Sequence, residues 1–305
     1  MSFPIETTDG HRLVVTTAGD LARPTVVLVH GFPDDQTVWN GVARVLSDRF
    51  HTVTFDVRGS GESDKPRAIS AYRKDQLAAD IGAVAAAVSP DRPVHLVGHD
   101  WGAVQAWHAA AAPATRSAIA SLTSISGPCL DGVPHWLRSS LAAGPPGWRA
   151  VATMWKSPLY MGALATPVLG ALLCRLGLVD AAIGLAHRLE AGVAPDISPH
   201  RARDNRAGLK IYSANLVPTL LRPHMRRVGV PVQVLAPRRD IFITPAAQRD
   251  VAHVADQWQV HDVDGGHWAP AFNPAEIADR IRAFVDAVEA ATTATQAGEP
   301  REHSA

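Results

Sequence analysis

The feature that most restricts this chain is the pentad Gly98-His99-Asp100-Trp101-Gly102. It stands between an apolar run, Val94 to Val97, and a helical pattern that begins near Ala103. A strand that passes directly into a helix must turn sharply. Small residues on either side of the turn allow close backbone approach, and the apex residue is held strained with its side chain raised above the sheet. An aspartate could stand at this point merely to cap the following helix. That reading leaves the flanking glycines and the preceding strand unexplained. A carboxylate presented at such an apex can attack a saturated carbon and form an ester with the protein itself.

The rest of the chain fits a parallel sheet with crossover helices. Short β-branched runs, Thr25 to His30 and Thr52 to Asp56, alternate with helical spacing such as Leu77, Ile81, Val84, Ala85 and Val88. Strand character returns at Val230 to Leu235 and near Gln257 to Val263. Asn273-Pro274-Ala275-Glu276 then opens a last helix, with a capping residue, proline at the first position and glutamate at the third. Between Leu130 and Met225 strand signals are sparse and Leu-Ala-rich helical patterns dominate. The expected division is a core over 1–129, a helical cap over 130–225, the second part of the core over 226–291, and a polar, disordered tail over 292–305.

Composition narrows the class of function. The chain has 305 residues, 47% of them hydrophobic, enough for a large core. Its 29 basic and 29 acidic residues balance, which points to neither nucleic acid nor an acidic membrane surface as partner. The N-terminus lacks a secretory pattern, and the longest apolar stretch, Met161 to Cys174, is interrupted and too short to span a bilayer. Two cysteines suggest no disulfide framework. A cytoplasmic location is the expectation. No metal or cofactor motif is present, so none is expected.

The elbow needs partners. His30-Gly31-Phe32-Pro33 ends a buried strand roughly 70 residues earlier, where this kind of fold supplies an oxyanion-binding N–H. The donors would be the backbone amides of Phe32 and Trp101. A histidine base and its orienting acid should follow, in the order nucleophile, acid, histidine. Of 14 histidines, His267 follows a strand, sits in Gly265-Gly266-His267-Trp268 and precedes the last helix. Asp240, after the preceding strand, is better placed to orient it than Asp262 or Asp264, which lie in or beside the last strand. His99 and His261 read as structural.

Taken together these residues resemble the epoxide hydrolase branch of the α/β-hydrolase superfamily. The resemblance covers roughly Phe3 to Ala290 and includes the loop Asp56-Val57-Arg58-Gly59-Ser60-Gly61-Glu62-Ser63-Asp64-Lys65-Pro66. The stretch Ser124-Ile125-Ser126-Gly127-Pro128, with His135-Trp136-Leu137 following, is similar to actinobacterial members fused to a short-chain oxidoreductase domain. No second dinucleotide-type segment is visible here, so a stand-alone hydrolase is expected. The resemblance implies an α/β-hydrolase fold, a mostly parallel sheet flanked by helices with an inserted cap, and two cap tyrosines that protonate an epoxide oxygen. Tyr212 matches the second of these. Tyr160 matches the first, although Leu159 stands where the family usually has tryptophan. Tyr72 is assigned to packing.

The implied reaction forms an ester on Asp100 that is hydrolysed by water activated by His267 and Asp240, and its substrate is a small lipophilic epoxide. Trp136, Trp148, Trp155 and the Met161 to Cys174 stretch are expected mostly to form the cap's own core. Trp101 is expected to wall the site. Two alternatives stay open. Haloalkane dehalogenases share the Asp-Trp elbow, but resemble a His-Gly-Asn-Pro pattern whose asparagine holds the halide; Phe32 replaces it here. A non-catalytic ligand-binding protein on the same fold would usually lack one of the three site residues. The sequence leaves the oligomeric state open.

Overall fold

The computed structural model describes residues 1–153, 156–192 and 201–298, with no description of the side chains of 154–160, 191, 201–202 or 296–298. Eight strands form one sheet: β1 Ser2–Glu6, β2 Arg12–Ala18, β3 Thr25–Val29, β4 His51–Phe55, β5 Val94–His99, β6 Ile119–Ile125, β7 Val232–Pro237 and β8 Trp258–Val263. Their order is β1-β2-β4-β3-β5-β6-β7-β8. Pairings β1–β2 and β2–β4 are antiparallel, and all the others are parallel.

Burial follows from this order. β3, β4 and β5 are buried at every position, as central parallel strands must be when helices cover both faces. Successive residues of β3 point to opposite faces. Val27 and Val29 join Ile81, Val84, Ala106 and Trp107 in one core. Val26 and Leu28 join Trp39, Leu46, Ile277, Ile281 and Val285 in the other. The hairpin β1–β2, at the sheet edge, was not evident from the sequence. Its strands are short and half-exposed, with alternation too weak to stand out.

Between β6 and β7 the chain runs through helices Val133–Ala142, Pro145–Thr153, Lys156–Ala165, Pro167–Arg175, Leu178–Ala191, Arg201–Gly208 and Lys210–Leu221. This inserted helical region packs a third core, Leu164, Val179, Ile183, Leu209, Tyr212 and Leu216, against Trp101 and Trp268 of the sheet ends. Asn215 fastens the Lys210–Leu221 helix to the sheet domain. Its side chain accepts from Lys74 N at 2.7 Å and donates to Tyr72 O at 2.7 Å.

The tail expected to be disordered over 292–305 is described only in part, since residues 299–305 lie outside the described residues. The final helix begins at Pro274 as expected and continues to Gly298, so residues 292–298 are helical. Thr292, Thr293 and Thr295 donate their hydroxyls to carbonyls four residues back. These hydroxyls are therefore satisfied within the helix, and the polarity of the segment does not oppose helix formation.

Candidate active site

The C-terminal ends of the parallel strands β3, β5, β7 and β8 deliver the site. β5 turns into the helix Trp101–Ala111 through Asp100, whose φ of 54° and ψ of −125° lie outside the ordinary regions for an L-residue. The turn is as tight as the sequence implied: a Cβ on Gly98 would stand 2.5 Å from Ala103 Cα, and one on Gly102 would stand 2.2 Å from Val29 O. The loop after β3 presses equally close. A Cβ on Gly31 would meet Asp100 Oδ1 at 2.3 Å and Trp101 N at 2.6 Å. Gly31→Ala is therefore expected to displace the Asp100 carboxylate and lower turnover by roughly 100-fold, as misplacement of about 1 Å does. Unchanged kcat and KM in steady-state assays would show that the loop can yield.

This close approach lets Phe32 N donate to Asp100 Oδ1 at 2.9 Å. The other carboxylate oxygen, Oδ2, lies 3.5 Å from His267 Nε2. On the far side of the ring, His267 Nδ1 is 3.2 and 3.3 Å from the two oxygens of Asp240. Asp240 is in turn held by Phe242 N and Ile243 N, each donating to Oδ1 at 2.9 Å, and by Gln248 Nε2, which donates to Oδ2 at 3.2 Å. Asp100, His267 and Asp240 thus form one continuous line, with Asp240 rather than its competitors beside the histidine. Asp262 and Asp264 instead pair with Arg249 and Arg238 at the surface.

Burial alone would strip the proton from His267. The neighbouring Asp240 charge and the hydrogen bonds to Asp100 and Asp240 outweigh it, and hold His267 well above the usual histidine range. Burial likewise opposes ionisation of Asp240, but the His267 charge, its hydrogen bond and the backbone donors bring Asp240 below the usual carboxylate range. The imidazole thus lies between the Asp100 and Asp240 side chains in a setting that favours its protonated form. His99 is different: it is fully buried and pushed down to about 4, by burial first and then by the charge of His267. It is therefore neutral. It donates Nε2–H to His267 O at 2.8 Å, and Ser126 Oγ donates to the same carbonyl at 3.3 Å.

Above this line lies a cavity of about 450 Å³. Asp100, His267 and Tyr212 contribute its polar chemistry, and Phe32, Leu164, Val179, Ile183, Phe242 and Trp268 are among its apolar walls. Trp268 donates its indole N–H to Asp34 at 3.0 Å. Tyr212 is 3% exposed, and its ring meets those of Phe32 and Trp101 edge-on, with centroids 5.5 and 4.8 Å away.

Trp101, expected to wall the site, lies beside it. Its ring meets that of Tyr212, and the residue lines a small separate recess beside Arg58 and Tyr72 and is not among the lining residues of the main cavity. Tyr160 belongs to the helix Lys156–Ala165, but its side chain lies outside the described residues, as does Trp155. Tyr72 is a packing residue, 1% exposed, with its hydroxyl donating to Pro66 O at 3.2 Å. Trp136 is buried, whereas Trp148 is 56% exposed and contributes to neither cavity nor core.

Several positioning residues escaped the sequence reading. Gln248 donates to Asp240 and accepts from Ser126 N at 3.1 Å, tying two loops together. Glu190, on the inserted helix, accepts from Trp268 N at 2.9 Å, next to His267. Neither belongs to a recognisable pattern. Trp268 could have been suspected only from its adjacency to His267.

The sequence pattern of the alpha/beta hydrolase fold matches residues 24–274. The chain is 33% identical over 316 residues to proteins named probable oxidoreductase EphD in Mycobacterium tuberculosis and Mycobacterium bovis, covering 99% of this chain and 53% of theirs. It thus spans about half the length of these curated relatives. Over 124 residues, 40% of this chain and 38% of the relative, it is 40% identical to epoxide hydrolase A of Mycobacterium tuberculosis. An epoxide hydrolase from Bacillus megaterium solved in complex with an inhibitor superposes with a TM-score of 0.74 at 22% identity, covering 93% of this chain and 100% of that one. A mutant of an epoxide hydrolase from the same organism, complexed with its naphthyloxy-propanediol product, superposes with a TM-score of 0.75 at 21% identity over the same shares of each chain. With the matched pattern running from β3 through the elbow and the His267 loop to the start of the last helix, this chain belongs to the α/β-hydrolase fold family, and within it is related to EphD and to epoxide hydrolases.

Proposed function

We propose that this protein hydrolyses an epoxide to a vicinal diol through an ester on Asp100. The observation that carries the reading is the pairing of Asp100 with Tyr212 in one apolar cavity whose lining does not include Trp101. A halide leaving group needs N–H donors in the cavity. Among the described lining residues Trp268 already donates its indole N–H to Asp34, and Phe32 has no side-chain donor. A phenol, by contrast, can both hold and protonate an epoxide oxygen.

The two carboxylate oxygens of Asp100 have different tasks. Oδ1, held by Phe32 N, becomes the ester carbonyl and later the oxyanion, with the Trp101 amide as second donor. Oδ2 attacks the epoxide carbon, the ring C–O bond breaks, and the alkoxide takes the Tyr212 proton, with Tyr160 as the second donor. Ester formation removes the charge of Asp100, so His267 loses one of the two carboxylates that hold it protonated. It releases its proton, through solvent, to the Tyr212 phenolate, which restores the phenol, and becomes the base for the second step. It then takes a proton from water, the hydroxide adds to the Asp100 carbonyl carbon, and collapse expels the diol. His267 returns its proton to the departing oxygen, and the proton left on the regenerated Asp100 carboxyl passes to His267, which restores the starting state.

Isotope labelling tests the scheme. Repeated turnover in ¹⁸O-water is expected to place label in the Asp100 carboxylate, read by peptide mass spectrometry. Label in the diol with none in Asp100 would mean that water attacks the epoxide directly. A panel of bromoalkanes is expected to release no halide; release at rates matching epoxide turnover would favour the dehalogenase reading.

A further inference from the structure

The balanced charge of the whole chain conceals a local asymmetry on the inserted helices Pro167–Arg175 and Leu178–Ala191. In the first helix, Val168, Leu169 and Leu172 lie on one side, continued by Leu176, and are 82%, 41%, 48% and 61% exposed. In the second, Leu178, Leu185 and Leu189 lie on one side at 51%, 57% and 73%, while Val179, Ile183 and Ala186 on the other are buried. Spacings of three, four and seven residues put each set on a single helical stripe. Two arginines, Arg175 and Arg188, share this exposed face. The two acids of the second helix are turned elsewhere: Asp180 accepts from Asn205 and Glu190 from Trp268 N.

An exposed apolar stripe of this length needs a partner. Leu178, Leu185 and Leu189 also line the cavity above Asp100, as does Ile241, itself 61% exposed. The stripe is therefore continuous with the cavity mouth. Leucines flanked by arginines, with no acid on the exposed face, match a surface that is apolar inside and anionic at its rim. No single helix among the described residues is long and apolar enough to cross a membrane, and these two are bent by 70° against each other. Their inner faces are committed to the third core.

We infer that this face docks in the headgroup layer of an anionic bilayer without crossing it, so that the cavity mouth opens toward lipid. The inference goes beyond the proposed hydrolysis and does not depend on it.

Co-sedimentation with phosphatidylcholine vesicles, with and without phosphatidylglycerol, tests it on the intact protein. Binding is expected to be stronger with phosphatidylglycerol. Val168→Ser/Leu172→Ser/Leu176→Ser should lower partitioning by roughly 100-fold or more through lost apolar contact. Arg175→Gln/Arg188→Gln should lower it about 25-fold on the anionic vesicles, about five-fold (about 1 kcal/mol) per arginine. These exposed substitutions should leave the thermal midpoint nearly unchanged, which separates lost docking from lost folding. Wild-type protein that ignores both kinds of vesicle would overturn the inference. So would vesicle binding that survives both sets of substitutions, or a dimer, seen by analytical ultracentrifugation, that buries the stripe and binds no vesicles.

Discussion

Replacing His267 with glutamine is expected to stop turnover after the first chemical step and leave the protein alkylated on Asp100. Intact-mass spectrometry should then show a gain equal to one substrate molecule, localised to the peptide containing Asp100. Loss of a positioned base slows the dependent step roughly 10²- to 10⁴-fold, whereas the attack by Asp100 should slow far less. Protein that stays unmodified while losing activity would place His267 in the first step and remove the basis for the covalent scheme.

The same residue gives a pH test with a fixed sign. In the resting state the Asp240 charge and the bond to Asp100 raise His267; in the ester state Asp100 no longer contributes. Hydrolysis of the ester should therefore increase with pH and level off at a lower pH than the His267 titration seen by imidazole NMR in the free protein. The resting pair also stabilises the fold. The contribution of His267, raised on folding, is complete below the ordinary histidine range and lost as pH climbs through its raised value. The contribution of Asp240, lowered on folding, is complete above the ordinary carboxylate range and lost on acidification through its lowered value. Thermal midpoints of wild type and His267→Gln should therefore differ most at mildly acidic pH, between the ordinary carboxylate and histidine ranges, and converge at either extreme.

The second large effect is expected far from the chemistry. The Arg58 side chain is 0% exposed. It donates to both oxygens of Asp80 at 2.5 and 2.6 Å, to Asp9 at 2.9 and 3.0 Å and to Ala71 O at 2.8 Å. Arg58→Ala strands the Asp80 carboxylate, 3% exposed, without its counter-charge. Breaking a buried pair in this way costs about 3–5 kcal/mol, which lowers the melting temperature by roughly 6 to 15 °C for a domain of this size. Removing both partners, as Arg58→Met/Asp80→Leu, should recover much of the loss because no buried charge is left behind. Strictly additive losses in a double-mutant cycle would show that the two residues do not act as a pair.

Arg58 also illustrates what the sequence could and could not disclose. Its loop was legible as a family signature, but its physical task was not: Asp9 and Asp80 lie far from it along the chain. The elbow was legible because strand, glycines and helix are contiguous, and β3, β5 and β7 because buried parallel strands are largely apolar runs; β8, half-exposed along most of its length, showed only Trp258 and Val260 alternating with polar residues. His267 and Asp240 followed from their order after those strands. The third core and the outward leucines could not be separated by inspection. Met161 to Cys174 is apolar almost throughout, and only tertiary packing sends Leu164 and Leu173 to the cavity and Val168 and Leu172 to the surface. Gln248 and Glu190 were invisible for the same reason, since each acts on a loop distant in sequence.

Chemistry and enclosure are supplied by different parts of this molecule. Asp100, Asp240 and His267 all stand on the ends of sheet strands, whereas most of the cavity wall comes from the helices between β6 and β7. Substrate range should thus be transplantable: exchanging those helices with a relative's would replace the walls and leave the reacting groups in place. A tie that must travel with any such graft is Glu190, whose bond to Trp268 N sets the loop that carries the base.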